Sequence, residues 1–141
     1  MKILLPLISL VIALGFASMP PLLAAEEKPG APAQATKIET VTAEQTAKLV
    51  AGKKVTVLDI RTPEEFKAGH IAGAVNINFN DPDFAKKLGE LDKMKPYVVH
   101  CAVGGRSARS LDQFKKLHFD SIYHFKGGFD AWEKAGQPVA K

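Results

Sequence analysis

From Ile38 onward, short apolar runs rich in β-branched residues alternate with segments that carry helix signals, and this alternation restricts the fold more than any other feature. Residues 38–41 predict a strand. Thr42 can cap a helix over 43–51, which Gly52 stops. Residues 55–60 form a β-branched, largely apolar run, the kind expected of a strand covered on both faces. Thr62, Pro63, Glu64 and Glu65 then supply an N-cap, a proline at the first helical position and acid in the first turn, and Gly69 closes that brief helix. Residues 75–79 predict another strand, 82–91 a helix, and 97–100 a strand that ends at Cys101. A helix over 107–117 places Ala108, Leu111, Phe114 and Leu117 on one face. Residues 122–125 predict the fifth strand, and 129–135 a last helix stopped by Gly136 and Pro138. Such alternation predicts an α/β fold with a central, largely parallel five-stranded sheet and helices on both faces.

The beginning of the chain does not share this pattern. Lys2 is followed by a charge-free run from Ile3 to Ala25 and then by Glu26 and Glu27, which predicts a secretory signal peptide over 1–25. Removal after Ala25 or after Ala17 fits the small residues there. The alternative is an uncleaved membrane anchor, because about 20 apolar residues can span a bilayer. Pro6, Pro20 and Pro21 shorten the usable helix and favour the signal. Residues 26–36, rich in Ala, Pro and charge, read as a flexible linker, and 37–141 as the folded domain. The expected location is the bacterial periplasm, with no stable membrane association once the signal is removed.

A chain of 141 residues has room for one core, which excludes a multidomain machine. Its net charge of +4 is spread without basic runs or interleaved aromatics, so no nucleic-acid partner is expected, whereas a small anionic ligand is compatible. The single cysteine excludes an intramolecular disulfide and any structural zinc site that needs two thiolates.

That cysteine lies where chemistry is expected in a parallel sheet, at the carboxyl end of a strand. Cys101, Ala102, Val103, Gly104, Gly105 and Arg106 join the strand to the next helix. Small residues and two glycines allow the backbone to curl so that successive N–H groups face inward as an anion nest. The helix start adds positive potential, which shifts a thiol toward thiolate, the reactive form. Arg106 adds a permanent positive charge. A buried, inert thiol is the competing reading of Cys101 alone; the glycine pair and Arg106 argue for a reactive one.

Three separated segments resemble the single-domain rhodaneses, a family of sulfurtransferases. They are Leu58 to Phe66 followed by Gly69 to Ile77, the loop from Cys101 to Ser107, and Gly127-Gly128-Phe129-Asp130-Ala131-Trp132. The resemblance spans residues 38–139 and implies the rhodanese fold and a persulfide cycle. Cys101 would be the catalytic nucleophile, taking sulfur from a small anionic donor such as thiosulfate, or from a persulfide, and passing it to cyanide or a thiol. Ala102, Val103, Gly104, Gly105 and Arg106 would bind the substrate, and no metal or organic cofactor is implied. A protein sulfur acceptor is a further possible partner. Four residues separate Cys101 from Arg106, whereas the family's phosphatase relatives have one more, enough to surround a tetrahedral oxyanion. Thiosulfate-preferring members often carry basic residues in the loop, where this chain has Ala102 and Val103. The alternative function is a persulfide carrier or redox-sensing module with little turnover.

Other polar residues read as structural. Asp59 and Arg61, at a strand end, are expected to pair with neighbouring groups and brace the active loop, since arginine cannot act as a base. His70, His100, His118 and His124 lack metal-ligand spacing and read as hydrogen-bonded or surface histidines. His100 adjoins Cys101, but adjacent strand side chains face opposite ways.

Overall fold

The computed structural model describes residues 34–141. The expected signal segment, and the linker up to residue 33, lie outside the described residues. The elements run β1 (Lys37–Val41), α1 (Ala43–Ala51), β2 (Thr56–Asp59), α2 (Pro63–Ala68), β3 (His70–Ile71), β4 (Val75–Asn76), α3 (Phe84–Gly89), β5 (Tyr97–His100), α4 (Gly105–Lys116), β6 (Ser121–Phe125), α5 (Gly128–Lys134) and β7 (Val139–Ala140). Five strands form one sheet in the order β1-β6-β5-β2-β4. Every pairing in it is parallel.

Strand periodicity divides the core into two layers. Leu58, Ile60, Tyr97, Val99 and Ile122 meet Phe84 and Leu88 of α3 and Phe114 of α4 on one face. Val57, Val98 and Phe125 meet Phe129 and Trp132 of α5 on the other, where Ala43, Ala47 and Val50 of α1 complete the cover. A fully buried phenylalanine such as Phe114 contributes roughly 1.5–3 kcal/mol of hydrophobic stabilisation. Two helices begin with reciprocal caps. Thr42 Oγ1 accepts from Gln45 N at 3.2 Å while Gln45 Oε1 accepts from Thr42 N at 2.8 Å. Thr62 and Glu65 repeat the arrangement at 3.3 and 3.0 Å. Each such cap contributes about 1 kcal/mol.

Three expected elements differ most in extent, the other ends shifting by a residue at most. The strand expected over 75–79 ends at Asn76, whose side-chain amide donates to Asp59 O and Arg61 O, both at 2.9 Å, while Ile77 N and Phe79 N still donate to Asp59 O and Ile60 O at 3.0 and 3.1 Å. The helix expected over 82–91 contracts to Phe84–Gly89, because Asp83 N bonds the Asp81 carboxylate at 2.9 Å and holds Pro82 in a turn. The helix expected from Ser107 starts at Gly105, so the end of the cysteine loop is already helical. The antiparallel pair β3–β7 joins His70 to Ala140 and Ile71 to Val139. Strands of two residues carry no readable periodicity, and this pair was not expected.

The carboxyl ends of β2, β5 and β6 lie side by side in this sheet order. They deliver Asp59 to Arg61, Cys101, and His124 to Lys126 to one end of the molecule.

Candidate active site

Cys101 leaves the end of β5 toward the α3–α4 layer, and His100 points toward α5. The loop that follows is shaped by two glycines in left-handed backbone. Gly104 has φ +96°, and a Cβ there would lie 2.1 Å from the Lys126 carbonyl oxygen. Gly128 has φ +66°, and a Cβ there would lie 2.4 Å from Ala102 O and 2.6 Å from Cys101 O. Only glycine lets the start of α5 approach so closely. In return Phe129 N donates to Cys101 O at 2.9 Å and Asp130 N to Ala102 O at 3.1 Å. The loop's first carbonyls are thereby held against α5.

With those carbonyls held outward, amides face the sulfur. Gly104 N donates to Cys101 Sγ at 3.1 Å, and Ser107 Oγ lies 3.6 Å from it. Burial pushes the thiol up, since Cys101 is only 1% exposed. Bonds from the Ser107 N–H and hydroxyl and from the Gly104 and Val103 amides outweigh this, and the pKa is lowered overall. The thiol is therefore both enclosed and acidified. Such a cradle can hold a sulfur anion or an added sulfur atom.

Arg106 was expected to add a permanent positive charge at the end of the loop, and the structure shows what holds that charge in place. Its Nη1 and Nη2 each meet a Glu65 carboxylate oxygen at 2.8 Å. A bidentate pair of this kind fixes both side chains and cancels most of their net charge. The guanidinium also stays close enough to Cys101 to favour a charged sulfur, so it acts there together with the loop's main-chain amides. Glu65 also accepts from Thr62 N, so α2 and α4 share one carboxylate. The Arg106 bonds, helped by Thr62 and opposed by burial, lower the Glu65 pKa from 4.5 to about 2. A lowered carboxylate pKa contributes stability that is present above pH 4.5 and is lost as pH falls toward 2. Urea midpoints measured across that interval are expected to fall, and in Glu65→Gln this part of the fall is expected to disappear.

Asp59 and Arg61 were expected to pair with neighbouring groups; they pair with each other. Arg61 Nε lies 3.0 Å from both Asp59 oxygens and Nη2 lies 2.6 Å from Oδ2. Arg61 Nη2 also donates to Gly69 O at 2.7 Å, and its guanidinium stacks 4.0 Å over the Phe129 ring. The pair reaches the cysteine loop only indirectly, through Phe129. His100 Nδ1 lies 3.0 Å from Cys101 O, and His70 Nδ1 lies 3.0 Å from Phe66 O, with its ring stacked on Phe66. Among the described residues no group of three His, Cys, Asp or Glu side chains is placed to hold a metal ion.

Sequence reasoning assigned no site role to Ser107, His124, Glu65 or Gly128. Ser107 directly follows Arg106 and falls in the first turn of α4, which the earlier helix start would have indicated. Glu65 is 41 residues from Arg106, and no spacing rule links them.

A parallel sheet that delivers one thiol into an amide-lined loop at its carboxyl edge defines an α/β domain organised around a single cradled cysteine. Residues 42–135 match the rhodanese-like domain family, and the chain belongs to it. The chain is 34% identical over 104 residues to thiosulfate sulfurtransferase 16, chloroplastic, of Arabidopsis thaliana, a match covering 64% of this chain and 82% of the relative. It is 35% identical over 91 residues to thiosulfate sulfurtransferase GlpE of Shewanella oneidensis, covering 64% of this chain and 88% of the relative. The crystal structure of a rhodanese-related protein from Thermoplasma volcanium superposes with a TM-score of 0.65 at 32% identity, covering 72% of this chain and 97% of that one. The molecule is thus a single rhodanese-like domain with sulfurtransferase relatives.

Proposed function

We propose that this protein is a sulfane sulfurtransferase that works through a persulfide on Cys101. The thiolate attacks the outer sulfur of a donor such as thiosulfate; the new S–S bond forms as the old one breaks, and sulfite leaves with its electron pair. The persulfide then gives its terminal sulfur to cyanide or a thiol, which regenerates the thiolate. The amides of Ala102 to Arg106 would steady the added negative charge, and no cofactor is required. The observation that carries this reading is the Gly104 N–H held 3.1 Å from Cys101 Sγ in a loop of the family's length. Asp59 and Arg61 support the site at a distance by seating Phe129.

One observation favours a second reading, a persulfide carrier or redox-sensing module with a protein partner. With Ala102 and Val103 uncharged and Arg106 engaged by Glu65, the loop offers no free cation to a dianionic donor. Incubation with thiosulfate, read by intact mass, is expected to add one sulfur atom, which cyanide removes. An adduct that forms without multiple turnover selects the carrier; no adduct with any sulfane donor rejects both. The exported, periplasmic location belongs to the same proposal and rests on the Ile3 to Ala25 run. N-terminal sequencing of protein from a cell fraction tests it, with the uncleaved anchor as the opposing outcome.

A further inference from the structure

One buried polar group outside the loop bears on Cys101. His124, on β6, is 5% exposed, and its Nε2 lies 2.9 Å from Ser107 Oγ. Ser107 is fully buried and also lies 3.6 Å from Cys101 Sγ and 3.1 Å from the Gly104 carbonyl oxygen. A hydroxyl has one proton to give and two lone pairs to receive. Three neighbours therefore share one proton. The Gly104 carbonyl can only accept, whereas the thiol and the imidazole change role with their own protons.

While Cys101 is a thiol, its S–H can donate to Ser107 Oγ, and Ser107 gives its proton to Gly104 O or to a bare His124 Nε2. When the thiol ionises, the S–H bond breaks, its proton leaves to solvent and the electron pair stays on sulfur. Sulfur can then only accept. Ser107 turns its proton toward it, and the hydroxyl oxygen is left needing a donor, which an Nε2–H on His124 supplies. We propose that His124 is a positioning residue for Cys101: through Ser107, its Nε2–H tautomer aims the hydroxyl at sulfur and favours the thiolate. The inference rests on reading Cys101 as the sulfur-carrying nucleophile.

The surroundings make the tautomer, not the charge, the operative variable. Val99 of β5 and Thr40 of β1 flank His124 in register and are uncharged, and α4 faces it with Ser107. Burial, with the nearby Lys126 charge acting in the same direction, holds the imidazole below its ordinary pKa. The ring is therefore neutral at pH 7, and its single proton occupies one nitrogen or the other.

The test is the pH profile of Cys101 alkylation by iodoacetamide, read by intact mass. His124→Leu is expected to react about tenfold more slowly at pH 7, with its midpoint raised by about one pH unit. In His124→Gln, a side-chain N–H can again face Ser107, and most of the rate is expected to return. Ser107→Ala is expected to match His124→Leu, with no further loss in the double variant, as for groups acting in one chain. A wild-type midpoint in His124→Leu, or additive losses, overturns the proposal. Should the leucine variant not fold, imidazole nitrogen NMR on the wild type decides: above the thiol midpoint, Nε2–H supports the proposal and Nδ1–H overturns it. A wild type that gains no sulfur yet keeps these alkylation differences rejects the sulfurtransferase reading and supports the role of His124. Sulfur loading with alkylation indifferent to residue 124 does the reverse.

Discussion

On the proposed cycle, Cys101→Ser is expected to gain no sulfur from thiosulfate, and its transfer to cyanide is expected to fall at least about a thousandfold. The serine hydroxyl does not ionise near neutral pH and cannot form the stable S–S link that carries the cargo. The fold is expected to survive, because Ser at position 101 can still accept from Gly104 N, as Sγ does at 3.1 Å. Intact mass after donor exposure, thiocyanate production and a thermal melt check the three parts of this expectation. A serine variant that keeps a tenth of the turnover would place the transfer at another residue and remove the basis for the proposed cycle.

Asp59→Ala is expected to be the most destabilising single change at the carboxyl edge of the sheet. Asp59 is fully buried and Arg61 is 4% exposed, so removing the carboxylate strands a guanidinium away from water. Breaking a buried pair in this way costs roughly 3–5 kcal/mol, a large share of the roughly 5–15 kcal/mol that holds a domain of ordinary stability. The Gly69 carbonyl and the Phe129 face would remain to Arg61, but neither carries a full negative charge. Urea unfolding measures the loss. In Asp59→Ala/Arg61→Met, the apolar replacement removes the unpaired charge, and much of the stability is expected to return. A loss below about 1 kcal/mol in Asp59→Ala would show that water reaches Arg61.

Most of the parallel strands were legible because they are short runs rich in β-branched or aromatic residues bounded by caps, prolines or glycines, as in Tyr97 to His100, although β4 proved shorter than expected. The cysteine loop was legible because its signals are local: small residues, two glycines and a helix start within six positions. The partners that set its electrostatics were not. Glu65 reaches Arg106 from another helix, and His124 meets Ser107 between a strand and the helix that covers it. Such pairings depend on how elements stack, and a single sequence records the elements without recording the stacking. The Asp59–Arg61 pair was read as structural on its residue types, yet its partner choice followed from the bend after β2 that brings Arg61 back onto Asp59. The β3–β7 seam escaped notice for the opposite reason: two residues are too few to show a period.

The peptide orientation between Cys101 and Gly104 divides two responsibilities within one short stretch. Carbonyl oxygens are tethered to the start of α5 and nitrogens are turned to the sulfur, so much of the electrical field at the Cys101 thiol is written in the backbone. Ala102 and Val103 are then left as interchangeable trim around the entrance, with Val103 67% exposed. Descendants of this chain can therefore reshape the rim of the loop by exchanging those two side chains while inheriting the same amide arrangement underneath.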